Sequence, residues 1–202
     1  MAAGWPARLG HGPVTLRPMR LRDAGEWVDV RRRNEDWLRP WEATPPGQSG
    51  RSDPSATVYL AMRRDLNRKG REGSALPFAL LFDGRLVGQV TIATIVRGSL
   101  NSGHAGYWID SAVAGRGIMP IALALAVDHC FERAGLHRVE ANIRPENAAS
   151  RRVVEKLGFR EEGLRRRYLH IDGAYRDHIS YAVTVEDAPA GLLSRALAAA
   201  AR

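Results

Sequence analysis

Only one cysteine, Cys130, stands among the 202 residues. That excludes an internal disulfide and a thiolate metal cluster, and no bound metal is expected. No apolar run is long: Ile118 to Val127 spans ten residues, contains Pro120, and reaches about half of a membrane span. The opening residues, Met1-Ala2-Ala3-Gly4-Trp5-Pro6, lack the charged start and apolar core of a secretory signal. A cytoplasmic protein without membrane contact is the expectation. Zinc-finger spacing, an aromatic RNA-recognition motif and a basic heptad region are also missing, which sets aside the standard nucleic-acid modules.

Positive charge is in surplus, with a formal net charge of +8. Basic surfaces attract nucleic acid, phosphorylated cofactors and acidic membrane faces. Much of the arginine is scattered or grouped shortly, as in Arg31-Arg32-Arg33 and Arg165-Arg166-Arg167, and solvated faces are its simplest account. Association with RNA or the ribosome stays open beside it. Hydrophobic residues at 45% and charged residues at 26% match a soluble globular chain, so wholesale disorder is excluded. The length fits one domain with a substantial core.

Along the chain, Val14 to Pro18 alternates as a strand, and Asp23 can cap a helix carrying Trp27, Val28 and Val30. Asn34 to Ser55, rich in Pro, Gly and Ser, reads as a loop with two unusual tryptophans, Trp37 and Trp41. A helix follows from Ser55 to Lys69, with Gly70 as its stop. Asp83-Gly84 between two apolar runs predicts a hairpin, and Asp172-Gly173 predicts another. Gly103 to Asp110 and Arg138 to Ile143 read as strands, and Ile118 to Ala134 and Asn147 to Leu157 as helices. The order β-α-α-β-β-β-α-β-α-β-β implies a single α+β domain with a mixed sheet flanked by about four helices. Residues 1–11 read as a tail, 12–187 as the domain, and 188–202 as a short surface helix or frayed end.

The sharpest local signal is Ala114-Gly115-Arg116-Gly117-Ile118-Met119-Pro120 between a strand and an apolar helix. Glycine lets backbone N–H groups approach an anion, a helix N-terminus favours negative charge, and proline is tolerated in the first turn. A tight turn would need the same residues. A P-loop requires Lys-Ser or Lys-Thr where Ile118-Met119 stand, and a dinucleotide fingerprint requires glycine where Pro120 stands. Both motifs fail.

Together with Pro145-Glu146-Asn147-Ala148-Ala149-Ser150, Val154-Glu155-Lys156-Leu157-Gly158-Phe159, the Tyr168 to His178 stretch and Asn34 to Glu42, this loop resembles the GNAT acetyltransferases. Within that superfamily the likeness is to the RimJ-like ribosomal-protein alanine N-acetyltransferases, and it spans roughly residues 12 to 187. The resemblance implies a mostly antiparallel sheet, acetyl-coenzyme A as cosubstrate, and direct attack of an amine on the thioester without an acyl-enzyme. It also implies that Trp108, Ile109 and Ala114 to Met119 hold the donor, that Asn147 bonds the pantetheine arm, and that Ser150 lies near the thiol. Ala114 departs from the usual Gln or Arg at the first loop position. Backbone amides do most of the holding there, so binding should survive.

Ser150 and Tyr168 are candidates to protonate the leaving thiolate; helix capping and strand packing would explain them equally. Strand alternation places Arg138, Glu140 and Asn142 on one face, expected to line the cleft. Related enzymes carry a glutamate where Asn142 stands and a tyrosine where Val154 stands. Glu140 and Glu42 remain as base candidates, or no dedicated base at all. An α-amine with pKa about 7.7–8.0 is roughly 10–15% neutral at pH 7, a lysine only about 0.04%. A site without a strong base therefore favours an N-terminal amine, with Trp37, Trp41 and Glu42 as walls of the acceptor cleft. The expected acceptor is a protein N-terminus, a ribosomal protein being one case, and the chain is expected as a monomer or homodimer. A polyamine or aminoglycoside acceptor, and a non-catalytic acetyl-CoA-binding or ribosome-assembly role, are the alternatives.

Overall fold

Period-two alternation and the two Asp-Gly turns produce the backbone of the molecule, a sheet of eight strands. The computed structural model describes residues 2–47 and 53–200. In chain order the elements are β1 (Leu9–His11), β2 (Val14–Arg17), α1 (Ala24–Arg33), α2 (Glu35–Leu38), α3 (Ala56–Glu72), β3 (Leu76–Phe82), β4 (Arg85–Val96), β5 (Ser102–Ile109), α4 (Ile118–Glu132), β6 (Arg138–Ile143), α5 (Ala148–Lys156), β7 (Arg160–Ile171), β8 (Ala174–Thr184) and α6 (Leu192–Ala200). The sheet runs β1-β2-β3-β4-β5-β6-β8-β7. Every neighbouring pair is antiparallel except β5 and β6. Both Asp-Gly pairs take positive φ at each residue, which matches the right-handed twist of the strands they join.

The apolar α4 lies on one face, in a core with Phe78, Leu80, Val90, Ile92, Val139 and Tyr181. Burial of each large apolar side chain there contributes about 1.5–3 kcal/mol. The opposite face carries α1 and α3, whose Trp27, Val30 and Tyr59 pack on Ala79, Leu81 and Leu86. Between β5 and β6 the pairing lasts only three positions, Ser102 with Arg138, Gly103 with Val139 and His104 with Glu140. Both strands continue beyond it, so they part and leave an opening through the middle of the sheet.

Several expected boundaries differ. Gly70 does not end the second helix: α3 runs to Glu72, and Gly73, at φ 76°, closes it. Gly70 is instead where Trp5 packs, since a Cβ there would lie 2.6 Å from the indole Cε2. The first eleven residues are thus more than a tail: Trp5 is buried in the main core and Leu9–His11 pairs with β2. The segment from Asn34 is not all loop, because α2 and a 3₁₀ turn at Arg39–Trp41 shape it; its residues 48–52 lie outside the described residues. The C-terminal helix is packed rather than frayed, with Leu192 and Ala196 buried against the core.

Candidate active site

The donor loop leaves the sheet where β5 ends. The Asp110 amide donates to the Val87 carbonyl at 2.7 Å, a 3₁₀ turn covers Ser111–Val113, and α4 begins at Ile118. Gly115 and Gly117 take φ values of 80° and 77°, a region that a side chain would strain. No Cβ placed at either would meet an atom within 4 Å, so the loop's inner surface is bare backbone. Among the described residues, the amides of Gly115, Arg116, Gly117, Ile118 and Met119 donate to no group of the chain. Five free donors at the positive end of a helix form a cradle for a pyrophosphate, and the chemistry fits coenzyme A.

Asp110 fixes this loop. It is buried and accepts hydrogen bonds from Arg33 Nε at 3.2 Å, Asn34 Nδ2 at 2.8 Å and the Ala112 amide at 3.2 Å. Burial pushes its carboxyl up, but the Arg33 and Asn34 bonds outweigh that and hold it below the usual value. Asn34, fully buried, returns a second bond: its Oδ1 accepts from the Ser111 amide at 2.9 Å. The end of α1 is thereby tied to the donor loop. Seventy-six positions separate Asn34 from Asp110, and nothing local in the sequence marks them as partners.

A cavity of about 1070 Å³ lies along β5 beyond the stretch that pairs with β6. One end is lined by Ala114, Gly115, Gly117, Ile118 and Met119, the other by Trp37, Trp41 and Glu42, with Trp108 and Ile109 between. Asn147 and Ser150 line it as well, and the Asn147 Oδ1 caps α5 by accepting from the Ser150 amide at 3.0 Å. Capping and a site on the cavity therefore coexist. Tyr107, not singled out from the sequence, also lines it and donates from its hydroxyl to the Ser150 carbonyl at 3.1 Å. The tryptophan segment is pinned on several sides. Trp37 Nε1 donates to the Ile109 carbonyl at 3.2 Å, and Arg144 lies over Trp41 at 5.5 Å while donating to the Pro40 carbonyl at 2.8 Å. Arg31 grips Glu42 with two bonds, one of 2.9 Å, and stacks over Trp108 at 5.3 Å.

The polar face of β6 meets a different environment from the one expected. Glu140 is held by Arg138 at 2.9 Å and Arg165 at 3.2 Å, with His104 at 3.8 Å. Asn142 donates to His104 Nδ1 at 3.2 Å and accepts from the Ser180 hydroxyl at 2.7 Å. Tyr168 lies against His178 and under Arg165. These three, and Arg116, do not line the cavity. Within the stretch paired to β5, β6 carries an ion-pair lattice that joins it to β7 through Arg138, Glu140, Glu162 and Arg165.

No helix among the described residues is long and apolar enough to cross a membrane, and none of the His, Cys, Asp and Glu side chains there gather in a metal-holding group. A sheet parted at its one parallel pair, with an amide cradle beside the opening, defines an acyl-CoA-dependent transferase. The chain belongs to the GNAT acetyltransferases: the family's acetyltransferase (GNAT) domain matches residues 14–160. It is an N-acetyltransferase that uses acetyl-CoA. Among solved structures it is similar to Mycobacterium smegmatis RimJ in complex with CoA-disulfide, at 43% identity and a TM-score of 0.93, covering 98% of this chain and 97% of that one. The ribosomal-protein-S5-alanine acetyltransferase of Vibrio fischeri follows at 28% identity and a TM-score of 0.80, covering 90% and 98%. The [ribosomal protein uS5]-alanine N-acetyltransferase of Escherichia coli is 33% identical over 183 residues, 89% of this chain and 92% of the relative.

Proposed function

We propose that this chain acetylates the N-terminal α-amine of a protein, a ribosomal protein being the favoured acceptor, by direct attack within a ternary complex. The observation that carries this is the state of the cavity's carboxylates. Asp36 pairs with Arg39, Glu42 with Arg31 and Glu146 with Arg144. Each acid faces a guanidinium, Glu42 most closely held and Asp36 in an exposed surface pair, and no histidine lines the cavity among the described residues. Such a site suits an amine that is already partly neutral at pH 7, which an α-amine is and a lysine is not. The relatives named for alanine acetylation of ribosomal protein S5 support the same acceptor class.

Acetyl-CoA supplies the acetyl group as a thioester. The amides of Gly115 to Met119 hold its pyrophosphate, Asn147 orients its pantetheine arm, and the Ser150 hydroxyl holds a proton for the departing sulfur. Cys130 is buried in the last turn of α4 and takes no part. Release of free CoA across peptides varied in their first three residues, with lysine peptides, polyamines and aminoglycosides alongside, tests the proposal. Preference for Ala-starting or Ser-starting peptides is expected, and equal rates on internal lysines would defeat it. Ser150→Ala is expected to lower kcat about 10²-fold with little change in the acetyl-CoA KM. A matching loss of CoA affinity would make Ser150 a structural residue instead.

A further inference from the structure

Three glycines lie in the paired region of β4 and β5, and the fold explains two of them. A Cβ at Gly88 would run into the Trp108 carbonyl and lie 3.1 Å from Ile109 Cα. One at Gly103 would lie 2.7 Å from Ile92 Cγ2. Gly106 is different. It sits in the interior of β5, its φ is not in the left-handed region, and a Cβ there would meet nothing within 4 Å. Neither backbone conformation nor packing asks for glycine, and a strand interior ordinarily disfavours it unless something else approaches.

What can approach is set by the face. Ala105, Tyr107 and Ile109 pack toward the α4 core, while Trp108 packs with the α1 and α3 cluster. Gly106 alternates with the former and so shares the Trp108 face, opposite the side on which the donor loop enters α4. It lines the cavity, pairs across the sheet with Thr91, and stands two residues past His104, the last position where β5 and β6 are joined. Met62 and Leu66, one turn apart on α3, line the same cavity from above that face.

We propose that Gly106 is the size gate of the acceptor: its bare backbone, with Thr91 beside it and Met62 and Leu66 as walls, receives the side chain of the acceptor's first residue. This rests on the protein N-terminus reading given above. A side chain at position 106 and one on the acceptor compete for the same volume, so the acceptor's first residue must shrink as residue 106 grows. Removing wall volume has the opposite effect.

The test uses the full chain, with Gly106→Ala, Gly106→Val and Met62→Ala, on peptides that start with Gly, Ala or Leu. Free CoA release gives kcat/KM and calorimetry gives the affinity for CoA. Gly106→Ala is expected to lower kcat/KM on the Ala-starting peptide about tenfold or more, a loss of the size that one misplaced methyl group brings. The Gly-starting peptide should lose less than about threefold, and CoA affinity should stay within about twofold. Gly106→Val should abolish turnover of the Ala-starting peptide, and Met62→Ala should raise turnover of the Leu-starting one. Because the Cβ of Gly106→Ala meets no atom, that variant keeps the test valid if the bulkier one fails to fold. CoA affinity falling with turnover would overturn the proposal, since the space would then serve the donor. Equal losses on all three peptides would overturn it too. A wild-type enzyme inactive on every peptide but active on small amines would defeat the protein-acceptor reading, and the gate with it.

Discussion

Asp110 and Asn34 bind no substrate in the proposed function, yet the donor loop depends on them. Asp110→Ala removes the acceptor for Asn34 Nδ2 and for Arg33, although the Val30 carbonyl still receives Asn34 at 2.8 Å. A partly orphaned buried group of this kind costs about 1–3 kcal/mol. Urea denaturation should register a loss in that range, and the acetyl-CoA KM should rise because the loop loses its anchor. An unchanged KM would mean that the loop is held from the α4 side alone. At this scale, legibility in the sequence followed distance along the chain. Gly115, Gly117, Asn147 and Ser150, which line the cavity, stood out in the sequence because their signals are local, in a loop or at a helix cap. Tyr107, Asn34 and Asp110 act through partners far away in sequence. For Glu140, alternation identifies a face but not what covers it, and here Arg138 and Arg165 do.

Secondary elements that carry their own punctuation were readable. Both Asp-Gly hairpins form, and Ile118 after a glycine opens α4. Elements fixed by tertiary contact were not. Gly70 is a docking notch for Trp5 rather than a stop, and no helix-end rule distinguishes the two. The start of α6 is capped by a residue sixty-four positions earlier: Asp128 on α4 accepts from the Leu192 amide at 2.7 Å and the Leu193 amide at 3.0 Å. That is capping chemistry delivered across the core, at the end of a helix where a negative charge is favoured. Asp128→Ala is expected to cost about 1 kcal/mol, the usual worth of a helix cap. Hydrogen exchange should show α6 losing protection while β3 and β4 keep theirs. Uniform loss across the sheet would mean that α6 does not open separately.

For the molecule as a whole, the two ends of α1 are fastened by buried carboxylates, which gives stability a definite dependence on acid. At its start Asp23 takes two bonds from Arg17, at 2.7 and 2.8 Å, and one from the Arg20 amide at 2.8 Å. At its far end is Asp110. Burial raises the Asp23 carboxyl, but the Arg17 and Arg20 bonds prevail and hold it below the usual carboxylate range, as the Arg33 and Asn34 bonds do at Asp110. Above about pH 5 both groups are ionised in the folded and unfolded chains, and their stabilisation is complete. Below that, the unfolded chain takes up protons first, so stability falls as pH drops toward the lower folded values. His178 adds an earlier contribution. Burial lowers it from 6.5, so the unfolded chain binds a proton that the fold refuses once the pH drops below about 6.5. Glu146, Glu162 and Asp187 are also lowered, but they lie nearer the surface, where salt screens their pairs. In about 1 M salt, with a Debye length of about 3 Å, the melting temperature should still decline below pH 6.5 and steepen below about pH 5. Asp23→Asn should melt lower at pH 7 and descend less steeply in acid, because the proton uptake that drives the fall has been removed. If wild type and variant descended in parallel, the acid response would belong to the surface pairs and not to the fastening of α1.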